Sequence, residues 1–169
     1  GTETVDGVRL KDLTVSRLPA VQVALDPITL PTPLGGTSLL IGGGFGRYQE
    51  RPTDVTENRG QVWAIARSPI ANVGPVRVYG EYGMRRAYYP GDTHQASVLN
   101  LTVENDPKSD SYYHVSYLHR KGRGESPFLF DRVLVPNELY TEVEVPLTKK
   151  GQWRLGAQTR YDLDDGRFR

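Results

Sequence analysis

His94, His114 and His119 are the only three histidines in the chain, and their spacing decides what they can do. Neutral imidazole is the commonest metal ligand, but side chains alternate across a strand. The five-residue step from His114 to His119 therefore sends the two to opposite faces, and they cannot share an ion. His114 and Ser116 do share a face. A serine beside a histidine begins the nucleophilic pair of a lipid-modifying barrel enzyme, yet no orienting acid is identifiable in the sequence, so the chain is read as a non-enzyme. Asp162-Leu163-Asp164-Asp165-Gly166 has acidic spacing like a calcium loop, but its glycine comes one position early and the distal glutamate is missing, which favours a hairpin turn. Gly42-Gly43-Gly44-Phe45-Gly46 lacks the Lys-Ser/Thr of a phosphate loop and leads to no helix. Its glycines fit a curved strand, or room for a neighbouring side chain. Asn100-Leu101-Thr102 matches a glycosylation sequon but falls inside a predicted strand. No metal and no cofactor is expected.

The elements that would position these residues are strands. Turn signals recur about every 15 residues and leave strands of about 10 between them. They are Glu57-Asn58-Arg59-Gly60, Asn72-Val73-Gly74, Pro90-Gly91-Asp92, Asn105-Asp106-Pro107, Lys121-Gly122-Arg123-Gly124, Pro136-Asn137, Lys149-Lys150-Gly151 and Asp165-Gly166. The intervals alternate with period two. Val76, Val78, Tyr82 and Met84 interleave with Arg77, Tyr79, Glu81 and Arg85; Leu99, Leu101 and Val103 with Asn100, Thr102 and Glu104; Leu139, Thr141, Val143 and Val145 with Tyr140, Glu142 and Glu144. The pattern predicts strands over 38–49, 60–69, 75–88, 94–105, 111–121, 126–135, 138–147 and 152–162. The segment 126–135 does not alternate, and an apolar loop packed inside the structure is its other reading. Helical periodicity is absent. Short connections make sequential antiparallel neighbours, an all-β up-and-down meander. Residues 1–37 differ in kind, with short candidate strands near 8–15 and 21–25 interrupted by Pro31 and Pro33, which remove ladder donors and suit a linker or a weak sheet edge.

The 169 residues hold no cysteine, 21 Lys and Arg against 20 Asp and Glu, 18 Gly, 12 Pro and 10 Tyr. Interspersed, nearly cancelling charge excludes a nucleic-acid footprint, and abundant Gly, Pro and Tyr favour strands and turns. A sheet with one apolar face belongs in a soluble sandwich or barrel, as a ligand-binding module, or in an outer-membrane barrel. Strand length favours the membrane, since a tilted strand crosses a bilayer in ~9–11 residues. Aromatic placement agrees: Trp153 and Tyr161 bracket Leu155 with a separation of ~26 Å along a strand. Tilted by about 40°, that projects to ~20 Å, near the ~25 Å apolar band of such barrels. On this reading Val143, Val145, Leu155, Trp153 and Tyr161 face lipid or its boundary. Arg77, Glu81, Arg85, Glu104, Glu142, Glu144, Arg154, Arg160 and Asp162 face a hydrated lumen, where opposite charges pair across strands.

Trp153-Arg154-Leu155-Gly156-Ala157-Gln158-Thr159-Arg160-Tyr161-Asp162-Leu163 resembles the barrel domain of LPS-assembly outer-membrane proteins (the LptD/OstA-like family), in which an alternating strand runs into "RYDL" and a polar turn. The resemblance extends to the strand rhythm from about 38 to 169. It implies a bacterial outer-membrane barrel that takes an amphipathic glycolipid from a periplasmic bridge and releases it through a weakly paired seam, with Pro31 and Pro33 as candidate seam residues. Residues 1–37 then form a periplasmic segment leading into the barrel, and 38–169 its strands. The implied partners are membrane lipid, glycolipid cargo and further segments or chains completing the barrel. The chain departs from the family in lacking its cysteines and in supplying far fewer strands. Asp165-Gly166 opens a hairpin whose return strand begins at Arg167-Phe168-Arg169, so the chain is either part of a larger barrel or an eight-stranded barrel closed on itself.

Overall fold

Period-two alternation leaves each strand with one face that must avoid water and one that seeks it, and the chain resolves this in a single sheet. The computed structural model describes residues 4–5, 8–9, 13–31, 36–106, 110–132, 137–148 and 153–168. A short hairpin of β1 (Thr4–Val5) and β2 (Val8–Arg9) forms a sheet of its own. The main sheet contains β3 (Thr14–Ala24), β4 (Ile28–Leu30), β5 (Thr37–Arg51), β6 (Val55–Arg67), β7 (Ala71–Val73), β8 (Val76–Tyr88), β9 (Thr93–Asn105) and β10 (Tyr112–Gly124). A single helical turn, α1 (Leu129–Arg132), precedes β11 (Glu138–Pro146), β12 (Arg154–Asp162) and β13 (Arg167–Phe168). All pairings are antiparallel, in the order β13-β12-β11-β10-β9-β8-β6-β5-β3, with β4 beside β5 and β7 beside β8.

Register fixes which side chains share a face, because residues directly opposite in an antiparallel ladder project to the same side. Arg77 stands opposite Glu104, Glu104 opposite His114, His114 opposite Glu142 and Glu142 opposite Gln158. One polar face therefore runs unbroken across β8 to β12. Val78, Val103, Val115, Thr141 and Thr159 make the equivalent row on the apolar face. The buried cluster lies on the polar face, where Tyr48, Ala87, Tyr89 and Phe128 pack with Val55 and Phe130. The apolar face is left outward: Phe45, Val62, Tyr82, Met84, Leu101, Val103, Leu139, Val143 and Leu155 are all exposed.

Several expectations need correction. Glu57 to Gly60 is strand, not turn; the β5–β6 reversal falls at Pro52–Asp54, where Asp54 takes the left-handed backbone and Thr53 Oγ1 donates to Glu50 Oε1 at 2.7 Å. No strand runs over 126–135 within its described residues. Phe128 and Leu129 are buried and 129–132 is a helical turn, in keeping with the reading as an apolar segment packed inside. The reason is local: Phe128-Leu129-Phe130-Asp131 has no polar alternate positions to give a second face. The main sheet begins at Thr14, well before residue 38, and Pro19 marks a register shift between Arg17 and Ala20 in β3, a tolerated place for proline on an edge strand. Among the described residues β3 and β13 do not pair, so the sheet is not closed on itself; β13 has two residues against the eleven of β3. Pro31 follows β4 and is exposed, while Pro33 lies outside the described residues.

The strand ends climb across the sheet. The row through Phe45 and Gly60 meets β8 at Tyr88, near its end, whereas the row through Tyr161, Leu139, Tyr117 and Leu101 meets it at Gly80. This stagger of roughly one to two residues per strand tilts strands by about 35–45° when a sheet rolls up. The glycine run of β5 has a packing reason, since a Cβ on Gly42 would collide with the Trp63 indole and the Val23 carbonyl. Gly42→Ala is expected to cost about 1–3 kcal/mol in chemical denaturation, and Trp63→Leu in the same chain should recover part of that loss.

Candidate functional site

The site grows from β5, β6 and β8, whose ends at one margin of the sheet present Glu50, Arg59 and Arg85 to the polar face. The connection after β10 folds back onto them and brings α1 within reach. Asp131 is 1% exposed and Arg59 2%. Arg59 binds Asp131 with both arms of its fork, Nη2 to Oδ1 at 2.9 Å and Nε to Oδ2 at 3.1 Å. Arg85 Nη2 adds a contact to Oδ1 at 2.6 Å, the Tyr89 hydroxyl donates to Oδ2, and Ser126 Oγ reaches Oδ2 at 3.4 Å. The Arg59 guanidinium also sits against the rings of Tyr48 and Phe130, 5.3 and 5.4 Å from their centroids. A planar cation can stack and fork at once, and lysine could not replace it here.

Glu50 is fully buried and holds the start of α1. Its Oε1 accepts from the Leu129 amide at 3.0 Å and its Oε2 from the Phe130 amide at 2.7 Å. Amides at the start of a helical turn lack intrahelical acceptors, and a carboxylate satisfies them. Two acids and two arginines thus clamp a single turn of helix against the sheet, with Phe128 in edge and tilted contact with Tyr48 and Tyr89.

The residues singled out from the sequence fall into separate groups. Arg85 joins the clamp. Arg77 Nη1 lies 3.3 Å from Glu104 Oε1, and His114 Nδ1 3.4 Å from Glu104 Oε2. Glu81 pairs with Arg67 at 2.5 Å, and Glu144 with Arg154 at 2.6 Å. Tyr140 donates to Glu142 at 3.0 Å and stacks under Arg160, 5.4 Å away. Asp162 is buried at the β12–β13 reversal, where its Oδ1 accepts from the amides of Asp164 and Asp165 at 3.0 and 3.1 Å, so this acidic run forms a turn. On the opposite face Trp153, Leu155 and Val143 are exposed, Val145 is half-buried, and Tyr161 packs edge-on against Phe168 at 4.9 Å.

The sequence offered no orienting acid for His114; the fold supplies Glu104. However, that acid is shared with Arg77, the His114 ring is held between Tyr112 and Tyr140, and no hydrogen bond joins His114 to Ser116 among the described residues. His119 lies on the other face, stacked on Tyr117. Among the described residues no three His, Asp or Glu side chains gather to hold a metal ion. Beside α1 the polar face holds a cavity of about 380 Å³ walled by Trp63, Ile65, Val98, Phe130, Arg85 and Arg120. Sequence reasoning missed Glu50, Arg59 and Asp131. The one available signal was a charged residue set inside the apolar run Phe128-Leu129-Phe130-Asp131, which needs a buried counter-ion.

Searches of family models, curated proteins and solved structures return no match to this chain. The site is therefore read from its own chemistry. Asp131→Asn should destabilise the fold by about 3–5 kcal/mol, because it leaves Arg59 buried without its counter-charge. Arg77→Gln, at a partly exposed pair, should cost about 1 kcal/mol or less. Denaturation midpoints of the two variants, measured side by side, check the difference.

Proposed function

We propose that this chain is wall of an outer-membrane β-barrel that transports or assembles lipid or glycolipid, acting through a polar lumen and not by catalysis. The observation that carries the reading is the inversion of the usual core: charged residues are buried on one face while the large apolar side chains of the other are exposed. An exposed apolar surface spread over this many strands is costly in water and suits a hydrocarbon solvent or a protein partner. Strand length supports lipid, with 13 residues in each of β6, β8, β9 and β10 and 9 in β11 and β12. Aromatics at the margins of the apolar face add to it, with Tyr88, Tyr161 and Phe168 towards one end and Tyr113 and Trp153 towards the other.

The stagger of the rows is what strands adopt in a closing barrel, and the open edges at β3 and β13 give further segments or another chain a place to pair. The resemblance around Trp153 to Leu163 points to glycolipid as the cargo and to the bacterial outer membrane as its place. An amphipathic cargo needs a path offering charge on one side and hydrocarbon on the other, and a polar face meeting lipid at an open sheet edge provides one.

Val143→Arg discriminates this reading from that of a soluble ligand-binding module. In a lipid-facing wall, an arginine near the middle of β11 should cost about 2–4 kcal/mol of folding into lipid vesicles. In a water-facing wall it should leave stability unchanged and raise solubility. Folding titrations in vesicles, with heat-modifiable gel migration as the readout of the folded state, measure it; a monomer stable in plain buffer without detergent would rule the barrel out.

A further inference from the structure

We propose that the cavity beside α1 is a binding site for a single-chain amphiphile with an anionic head, the head paired with Arg120 and the tail lying against Trp63, Ile65, Val98 and Phe130. Arg120 is the residue that carries the inference. Its Nε is buried and has no hydrogen-bond partner, and among the described residues no carboxylate pairs with its guanidinium. The side chain as a whole is half-buried, but a buried donor left without an acceptor is costly, and native structures satisfy such groups with protein, water or ligand.

The other charged groups around this cavity already have partners. Glu81 is taken by Arg67 at 2.5 Å, and Asp131 holds both Arg59 and Arg85. The backbone at Arg120 is fixed independently, its amide donating to Asn137 Oδ1 at 2.6 Å, so the side chain is presented from a set position. Most of the remaining wall is aromatic and aliphatic, which favours an occupant with an apolar part over a purely polar anion. At about 380 Å³ the cavity stands at the low end of small-ligand sites, so it admits one chain and not a multi-acyl lipid. A carboxylate and a phosphate head share the required chemistry. The site does not depend on which medium meets the apolar face.

The chain has two tryptophans, and Trp63 lines the cavity while Trp153 is exposed on the opposite face. In a Trp153→Phe background, in dodecyl maltoside, Trp63 fluorescence reports occupancy by a doxyl-labelled stearate. Quenching should saturate, should be displaced by dodecyl phosphate but not by inorganic phosphate, and should weaken at least about tenfold for the neutral methyl ester and in Arg120→Gln. Arg77→Gln should quench as the parent does, and Arg120→Lys, which keeps the charge, should retain binding if Arg120→Gln fails to fold. Equal quenching by acid and ester, quenching that never saturates, or undiminished binding when position 120 is neutral in a folded protein would overturn the site. Displacement by inorganic phosphate alone would overturn the role of the tail.

Discussion

A carboxylate removed from water must find donors for both oxygens, and Asp131 finds them on two neighbouring strands and the turn that follows one of them. Arg59 and Arg85 come from neighbouring strands, and Tyr89 from the turn that follows. The cluster fixes the spacing of β6 and β8 at that margin, seats α1, and draws Phe128 and Leu129 into the buried set. Glu50 does the matching work for the amides of the helical turn. Removal of the acid would leave two guanidinium groups facing one another over a small apolar cluster, so packing and charge here are a single arrangement.

The rest of the molecule follows from which face received that arrangement. In an ordinary sandwich the apolar faces meet and the ions look outward. Here the ions, the helical turn and the aromatic cluster share the polar face, and the valines, leucines and tyrosines of the other face are left at the surface. The sheet is thus stabilised from its charged side, with Arg77, Glu104 and His114 and the pair Arg154–Glu144 extending the same logic along β8 to β12.

Where alternation was clean, the sequence was legible. Strands read at 75–88, 94–105 and 138–147 lie at β8, β9 and β11 with ends displaced by a residue or so, because hairpin register and period two carry the same information twice. The faces of Arg77, Glu81, Arg85, Glu104, Glu142 and Glu144 could be read the same way. The clamp was not legible. Arg59 sits beside Asn58 and Gly60, which locally spell a turn; pairing opposite Gly46 makes it strand, and a carboxylate 72 residues away lets it be buried there. Likewise Asp131 looks like a flaw in an apolar segment until Arg59 and Arg85 are beside it. Pro19 is illegible for the opposite reason: its consequence is a change of register, which no local pattern encodes. That the sheet of the described residues is left open between β3 and β13 was not legible either, because nothing in alternation counts strands around a circumference.

Each hairpin joins residues close in sequence, but Glu50 and the Leu129 amide are separated by 79 positions. Loop closure of that length is entropically expensive until the intervening strands have already brought the ends together. The clamp is therefore favoured only once hairpins have set β5, β6, β8, β9 and β10 side by side and shortened that loop.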